Sequence, residues 1–146
     1  MKLEIFKANS ISQIREITNR IFNSFSGAFP KSNDSKILLK PNFNANMNAL
    51  TGNTTDLRLI AAIIESLKNR GYQNITIGEG TNSGYYRNSI SVIARLKVDE
   101  LAKYYGVKVK DLNYSEPVYI EFEDGIKAGV AKEVLDADFL INIPKL

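Results

Sequence analysis

The chain of 146 residues contains no cysteine and no histidine. It therefore lacks the usual ligands of a zinc site and of an iron–sulfur cluster. A Cys–His pair and a Ser–His–Asp triad are excluded for the same reason. Any chemistry done by this chain must use carboxylates, lysines, tyrosines, hydroxyls or backbone amides. No cofactor is expected on the chain itself, although Mg²⁺ on oxygen ligands stays open.

Long basic blocks and long apolar runs are also missing. The net charge of +3 is spread along the chain, so nothing calls for a nucleic-acid partner. There is no run of about 18 apolar residues, and the N-terminal MKLEIFKANS alternates polar and apolar residues, unlike a signal peptide. We expect a cytoplasmic protein that binds neither nucleic acid nor membrane. The sequence does not indicate an oligomeric state.

What is present is an alternation of apolar segments with strand and helix spacing. Helical spacing is clearest over 57–67, where Thr54 or Thr55 is the expected N-cap and Gly71 the terminator. A second helical stretch has a break near Lys97, and Asp124-Gly125 marks a hairpin turn. The patterns predict strands at 2–7, 37–40, 75–77, 107–112, 118–122 and 139–143, and helices at 11–25, 57–67, 89–105 and 131–137.

This order predicts a single α/β domain over residues 1–146. We expect a mostly parallel sheet with helices on both faces and one antiparallel strand or hairpin. The chain stops at Pro144-Lys145-Leu146, directly after an apolar strand. A domain rarely ends on a core strand, so we expect a fragment of a longer polypeptide.

Polar residues follow several of the predicted strands. Lys40 precedes Pro41, which holds Lys40 extended at the tip of its strand, and Asn42 comes next. The following strands end at Gly78-Glu79-Gly80, at Asp111 and at Lys145. In open α/β sheets, ligands bind beyond the carboxyl ends of the strands. We therefore predict a site at this edge, although each residue alone could be solvated surface or turn chemistry.

Two nearby segments are candidate phosphate-binding sites. The loop GEGTNSG lacks the third glycine of G-x-G-x-x-G, and Glu79 would oppose a pyrophosphate, so dinucleotide binding is disfavoured. The residue types of Thr54-Thr55-Asp56 at the helix start favour an N-cap as their main role. Its amides could also hold an anion if one threonine caps and the other faces the ligand.

The ordered set KPN, TTD, GEG, KVKDLN and INIPKL resembles the domain-of-unknown-function family 362, DUF362, over roughly residues 36 to 146. The resemblance implies site residues Lys40, Asn42, Thr55, Asp56, Glu79, Asn142 and Lys145. It also implies that members often carry a ferredoxin-like iron–sulfur segment elsewhere in the polypeptide. The absence of cysteine from this chain puts that implication in doubt here.

Two functions fit these residues. In the first, the chain is an enzyme domain that binds a small anionic metabolite. Lys40, Glu79 and Lys145 would be catalytic, and Asn42, Thr54, Thr55, Asp56, Gly80 and Asn142 would bind the ligand. In the second, the same edge belongs to a non-catalytic binding or docking module associated with an iron–sulfur redox partner.

Overall fold

A computed structural model describes residues 3–145 and shows two sheets. The larger is a four-stranded parallel sheet made of β1 Ile37–Pro41, β2 Ile75–Glu79, β3 Lys108–Asp111 and β6 Phe139–Ile143, in the order β3-β2-β1-β6. The smaller is an antiparallel hairpin made of β4 Pro117–Glu121 and β5 Lys127–Ala131. The predicted α/β class and the hairpin after Asp124-Gly125 are confirmed.

The described part of the chain contains six α-helices, of which the first precedes β1 and the others lie between strands: α1 Ile11–Ser24, α2 Leu57–Asn69, α3 Ser83–Tyr86, α4 Val92–Arg95, α5 Val98–Tyr105 and α6 Lys132–Leu135. Ser10 caps α1 by accepting a hydrogen bond from the Gln13 amide. The expected break at Lys97 is real: this residue is left-handed at φ 61° and separates α4 from α5. Gly71, at φ 94°, follows α2 as predicted.

One face of the parallel sheet carries the core. Ile37 and Leu39 on β1 and Ile75 and Ile77 on β2 point to this face, because side chains alternate along a strand. Residues of α1, α2 and α5 cover them. A polar cluster also joins these helices: Arg15 donates two hydrogen bonds to Glu65, at 2.7 and 2.8 Å, and the Tyr105 hydroxyl donates a third at 2.6 Å.

The opposite face is covered much more thinly. Helix α6 lies beside it, and Glu133 of α6 lines a cleft together with Leu38 and Thr76 of the sheet. Leu140, the register partner of Leu38, is 43% exposed. The hairpin stands apart from the parallel sheet, and every residue of β4 is exposed. The helical cover expected on both faces is therefore present but unequal.

Two local predictions are wrong. The alternation at 2–7 predicted a strand, but residues 3–7 form none, and Lys2 lies outside the described residues. Leu3 and Ile5 are 78% and 85% exposed, since no neighbouring strand pairs with this segment. The N-cap of α2 is Asp56, which accepts from the Arg58 amide at 2.8 Å, and not Thr54 or Thr55.

No helix within residues 3–145 has both the length and the apolar character needed to cross a bilayer.

Candidate functional site

The parallel sheet brings the polar strand ends together at one edge. Lys40 on β1 is paired in register with Asn142 on β6, and Glu79 on β2 with Asp111 on β3. Register partners on neighbouring parallel strands send their side chains to the same face of the sheet. The four residues thus occupy the carboxyl ends of four adjacent strands, where ligands bind in folds of this type.

At the centre of this edge, Lys40 and Glu79 form an ion pair. The Lys40 Nζ atom lies 2.9 Å from Glu79 Oε2. Glu79 is only 6% exposed, whereas the Lys40 side chain is 38% exposed. The lysine therefore spans from solvent to a buried carboxylate. The strand continues through buried Pro41, which keeps Lys40 in extended backbone.

Burial raises the pKa of the Glu79 carboxyl above its ordinary value of 4.5. The Lys40 ammonium opposes this by lowering the pKa, while the charge of Asp111 raises it further. The Gly80 amide also lowers this pKa. Burial outweighs the favourable partners, so Glu79 holds its proton more readily than a solvated glutamate. A buried carboxyl with a raised pKa suits a group that both gives and takes a proton.

The loop after β2 is fixed by Asn113, a residue that the sequence patterns did not single out. Its side-chain amide donates to the Thr81 carbonyl at 3.0 Å, and Thr81 is 4% exposed. A Cβ on Gly80 would lie 3.4 Å from Asn113 Oδ1, so the loop runs close to this side chain. Its sequence signals are its place two residues after the acidic end of β3 and its position as the last residue of the KVKDLN motif.

Thr55 holds the loop after β1 against the end of β6. Its hydroxyl accepts a hydrogen bond from the Asn42 amide at 2.9 Å and donates one to the Ile143 carbonyl at 2.8 Å. The Thr55 amide donates in turn to the Asn42 carbonyl at 2.9 Å. The Asn42 side chain donates to the Asn53 carbonyl at 2.8 Å. Thr55 is 2% exposed, so its hydroxyl supports the site from within the protein.

The start of α2 carries its own charges. Asp56 caps the helix and pairs with Arg58, with 2.6 Å between carboxylate and guanidinium. Hydrogen bonds from Arg58 lower the pKa of Asp56, and the charge of Lys145 lowers it too. Thr54 is buried, and its hydroxyl donates to the Ala45 carbonyl at 3.3 Å. An anion at this helix start would therefore meet the carboxylate of Asp56.

A cleft of about 470 Å³ opens beside the start of α2. Thr54, Thr55 and Asp56 line it on one side, and apolar residues including Leu50 and Leu96 line the other. The predicted site residues thus divide into two groups. Lys40, Glu79, Gly80 and Asn142 belong to the strand ends around the ion pair. Asn42, Thr54, Thr55, Asp56 and Lys145 belong to the loops and helix start next to them.

Few side chains at this edge of the sheet could bind a metal ion. Within residues 3–145 there is no group of three or more His, Cys, Asp or Glu side chains placed to hold an ion. Glu79 and Asp111 are two carboxylates at neighbouring strand ends, which is fewer oxygen ligands than a hard cation takes without water or substrate. Binding of Mg²⁺ stays a prediction. The chain has no cysteine or histidine, so its own residues do not fit an iron–sulfur cluster.

An open parallel sheet with a lysine–glutamate pair at its carboxyl edge defines an α/β domain. The chain belongs to the family described as domain of unknown function, DUF362, whose model matches residues 37–146. The match begins at the first residue of β1 and confirms the family that the strand-end motifs suggested. No curated protein and no solved structure matches the chain.

Proposed function

We propose that this chain is an enzyme domain that binds a small anionic metabolite at the carboxyl edge of its parallel sheet. The observation that carries the proposal is the Lys40–Glu79 pair, with 2.9 Å between charged atoms and a carboxylate that is almost fully buried. Surface ion pairs are common and contribute little. A buried carboxyl with a raised pKa at the ligand-binding edge of a sheet is a more specific sign of a reaction centre.

In this proposal Lys40 holds the carboxylate or phosphate of the ligand. Its side chain reaches solvent, and its register partner Asn142, which is exposed, offers an amide on the same face of the sheet. Glu79 lies beside the bound anion and moves a proton to or from it. When the ligand anion takes over the charge of Lys40, the carboxylate loses part of its partner, and the pKa of Glu79 rises further.

The second group of residues supports the first. Thr55 and Asn42 fix the loop after β1 relative to β6, so the spacing between Lys40 and Asn142 does not depend on the ligand. Lys145 lies near Asp56 and gives the same edge a second positive charge. The family resemblance implies Lys40 and Lys145 as site residues, and in this proposal the two lysines hold the anion together.

The test is a binding screen of small carboxylates and phosphates by thermal shift, followed by calorimetric titration of each hit. Lys40→Met should abolish binding, while the control Lys127→Met, which breaks an exposed ion pair on the hairpin, should leave it unchanged. The titrations are run at a temperature well below the melting temperature measured for each variant. Equal affinity of wild type and Lys40→Met would remove the proposal.

Glu79→Gln separates the enzyme from a non-catalytic module. In the enzyme, substitution of Glu79 by Gln abolishes turnover of the identified ligand and preserves most of its binding. A module that only binds, or that docks on an iron–sulfur partner protein, keeps its affinity and has no turnover in wild type or variant. That redox association is implied by the family resemblance alone, and any cluster would be held by other residues than those of this chain.

A further inference from the structure

A second cleft, of about 440 Å³, lies on the thinly covered face of the parallel sheet. It lies toward the amino-terminal ends of β1, β2 and β3, away from the Lys40–Glu79 pair. Leu38 and Thr76 line it from the sheet, and Ala137 lines it from the segment after α6. Its volume falls in the range of small-molecule sites, roughly 300–1,000 Å³.

The walls of this cleft are held in place by bonds between distant segments. Lys110 on β3 pairs with Glu133 on α6 at 3.0 Å. The Lys36 amide donates to an Asp138 carboxylate oxygen at 2.7 Å, and the Asp138 amide donates back to the Lys36 carbonyl at 2.9 Å. These contacts fix the region around α6 relative to both β1 and β3. The cleft therefore exists before any ligand arrives.

Two lysines on this lining form no ion pair with any residue in the range 3–145. Glu133 compensates Lys110, and Lys132 compensates the lining residue Asp136 at 2.8 Å. Lys36 and Lys108 are exposed, and neither side chain forms an ion pair in the part of the chain that the structure describes. Asp138, whose carboxylate accepts from the Lys36 amide, offsets one of these charges, so the cleft combines one net positive charge with an apolar surface.

The cleft is separated from the ion pair by packed leucines. A Cβ on Gly78 would lie 2.9 Å from Leu38 Cδ1 and 3.2 Å from Leu112 Cδ2, so both side chains close over this glycine. Gly78 lies on β2 immediately before Glu79. A ligand in the cleft would therefore not touch the Lys40–Glu79 pair.

We propose that this cleft is a binding site for a small amphipathic anion: a carboxylate, sulfonate or phosphate that carries an apolar ring or chain. The acid group is held by Lys36 and Lys108, and the apolar part lies against Leu38 and Ala137. The aliphatic stems of the two lysines extend the apolar surface, as long charged side chains commonly do. The proposal is independent of the function proposed for the Lys40–Glu79 pair.

The probe for the test is 8-anilinonaphthalene-1-sulfonate, a naphthalene sulfonate whose fluorescence rises in apolar sites. We expect the double variant Lys36→Gln with Lys108→Gln to bind it about tenfold more weakly, since two attractive charges are lost. The control, Lys7→Gln with Lys103→Gln, removes the same charge from exposed positions elsewhere and should bind as wild type. The uncharged probe N-phenyl-1-naphthylamine should not distinguish the two double variants.

Amide chemical shifts locate the probe. On titration of the ¹⁵N-labelled chain, the expected changes fall on Thr76, Lys108 and Ala137. Three results overturn the proposal: the largest changes fall on the hairpin residues 117–131, the two double variants bind the sulfonate equally, or light scattering shows that a second copy of the chain already covers the cleft.

Discussion

Replacement of Lys40 by Met isolates the energetics of the buried ion pair. Methionine keeps the unbranched apolar stem of lysine and removes the ammonium that lies 2.9 Å from Glu79. Loss of one partner from a buried pair costs about 3–5 kcal/mol of folding free energy. Because the Lys40 side chain is 38% exposed, water offsets part of this loss, and we expect about 2 kcal/mol at pH 8.

A loss of this size lowers the melting temperature by about 4–8 °C in a protein of this length. It should also depend on pH, because removal of Lys40 raises the pKa of Glu79 further above its value in the unfolded chain. A raised folded-state pKa means that the folded protein holds the proton more tightly. The stabilising contribution of Glu79 is then fully present below the unfolded value of 4.5 and is lost as pH rises through the folded value. The slope is at most about 1.4 kcal/mol per pH unit for one proton.

The assay is urea unfolding of wild type and Lys40→Met at pH 5, 6, 7 and 8. We expect the deficit of the variant to shrink toward pH 5, because a larger share of Glu79 is protonated in the variant as the pH falls. The double variant Lys40→Met with Glu79→Gln should recover much of the loss at pH 8, since no unpaired charge is left inside. A deficit that is the same at every pH, or that is not recovered in the double variant, would refute the buried-charge explanation.

Three further substitutions probe the supports of the site, each read as a change in the free energy of unfolding. Gly78→Ala places a Cβ 2.9 Å from a Leu38 methyl and should destabilise the protein by about 1–3 kcal/mol. The control Gly27→Ala, whose Cβ would have nothing within 4 Å, should change the stability little. Equal effects of the two substitutions would contradict the packing at Gly78. Thr55→Val leaves the Asn42 amide without its acceptor and should cost about 1–3 kcal/mol, with Thr55→Ser close to wild type. Asp56→Ala should cost about 1 kcal/mol and Asp56→Asn much less, and the reverse order would mean that Asp56 is not the cap.

The elements with strong periodicity could be predicted from the sequence alone. Helix α2 has a continuous apolar stripe, and β1 is a short apolar run that ends at a proline, so both were expected close to where they lie. The rule that ligands bind beyond the carboxyl ends of parallel strands predicts Lys40 and Glu79 at one edge of the sheet. Their direct contact is a finding of the structure, because side-chain distances across strands are not encoded in a local pattern.

The predictions that failed depended on long-range partners. Thr54, Thr55 and Asp56 are all good N-cap residue types, and local preference cannot choose between them. The choice is made by contacts with segments distant in sequence, since Thr55 bonds the Ile143 carbonyl 88 positions further on. The strand expected at 2–7 failed for a related reason: alternation describes a strand only when another strand lies beside it. Helix α3, Ser83–Tyr86, was not predicted because this single turn begins inside the loop GEGTNSG, whose glycine, asparagine and serine residues are typical of turns.

The isolated hairpin and the parallel sheet differ in the free energy that local opening requires. The ladder between β4 and β5 has no buried layer behind it, and Tyr119 is 69% exposed. A two-stranded ribbon without such a layer is marginally stable by itself. Local opening of residues 117–131 therefore requires far less free energy than melting the parallel sheet. A protease that cuts the turn at Asp124-Gly125 should leave the edge that carries Lys40 and Glu79 intact.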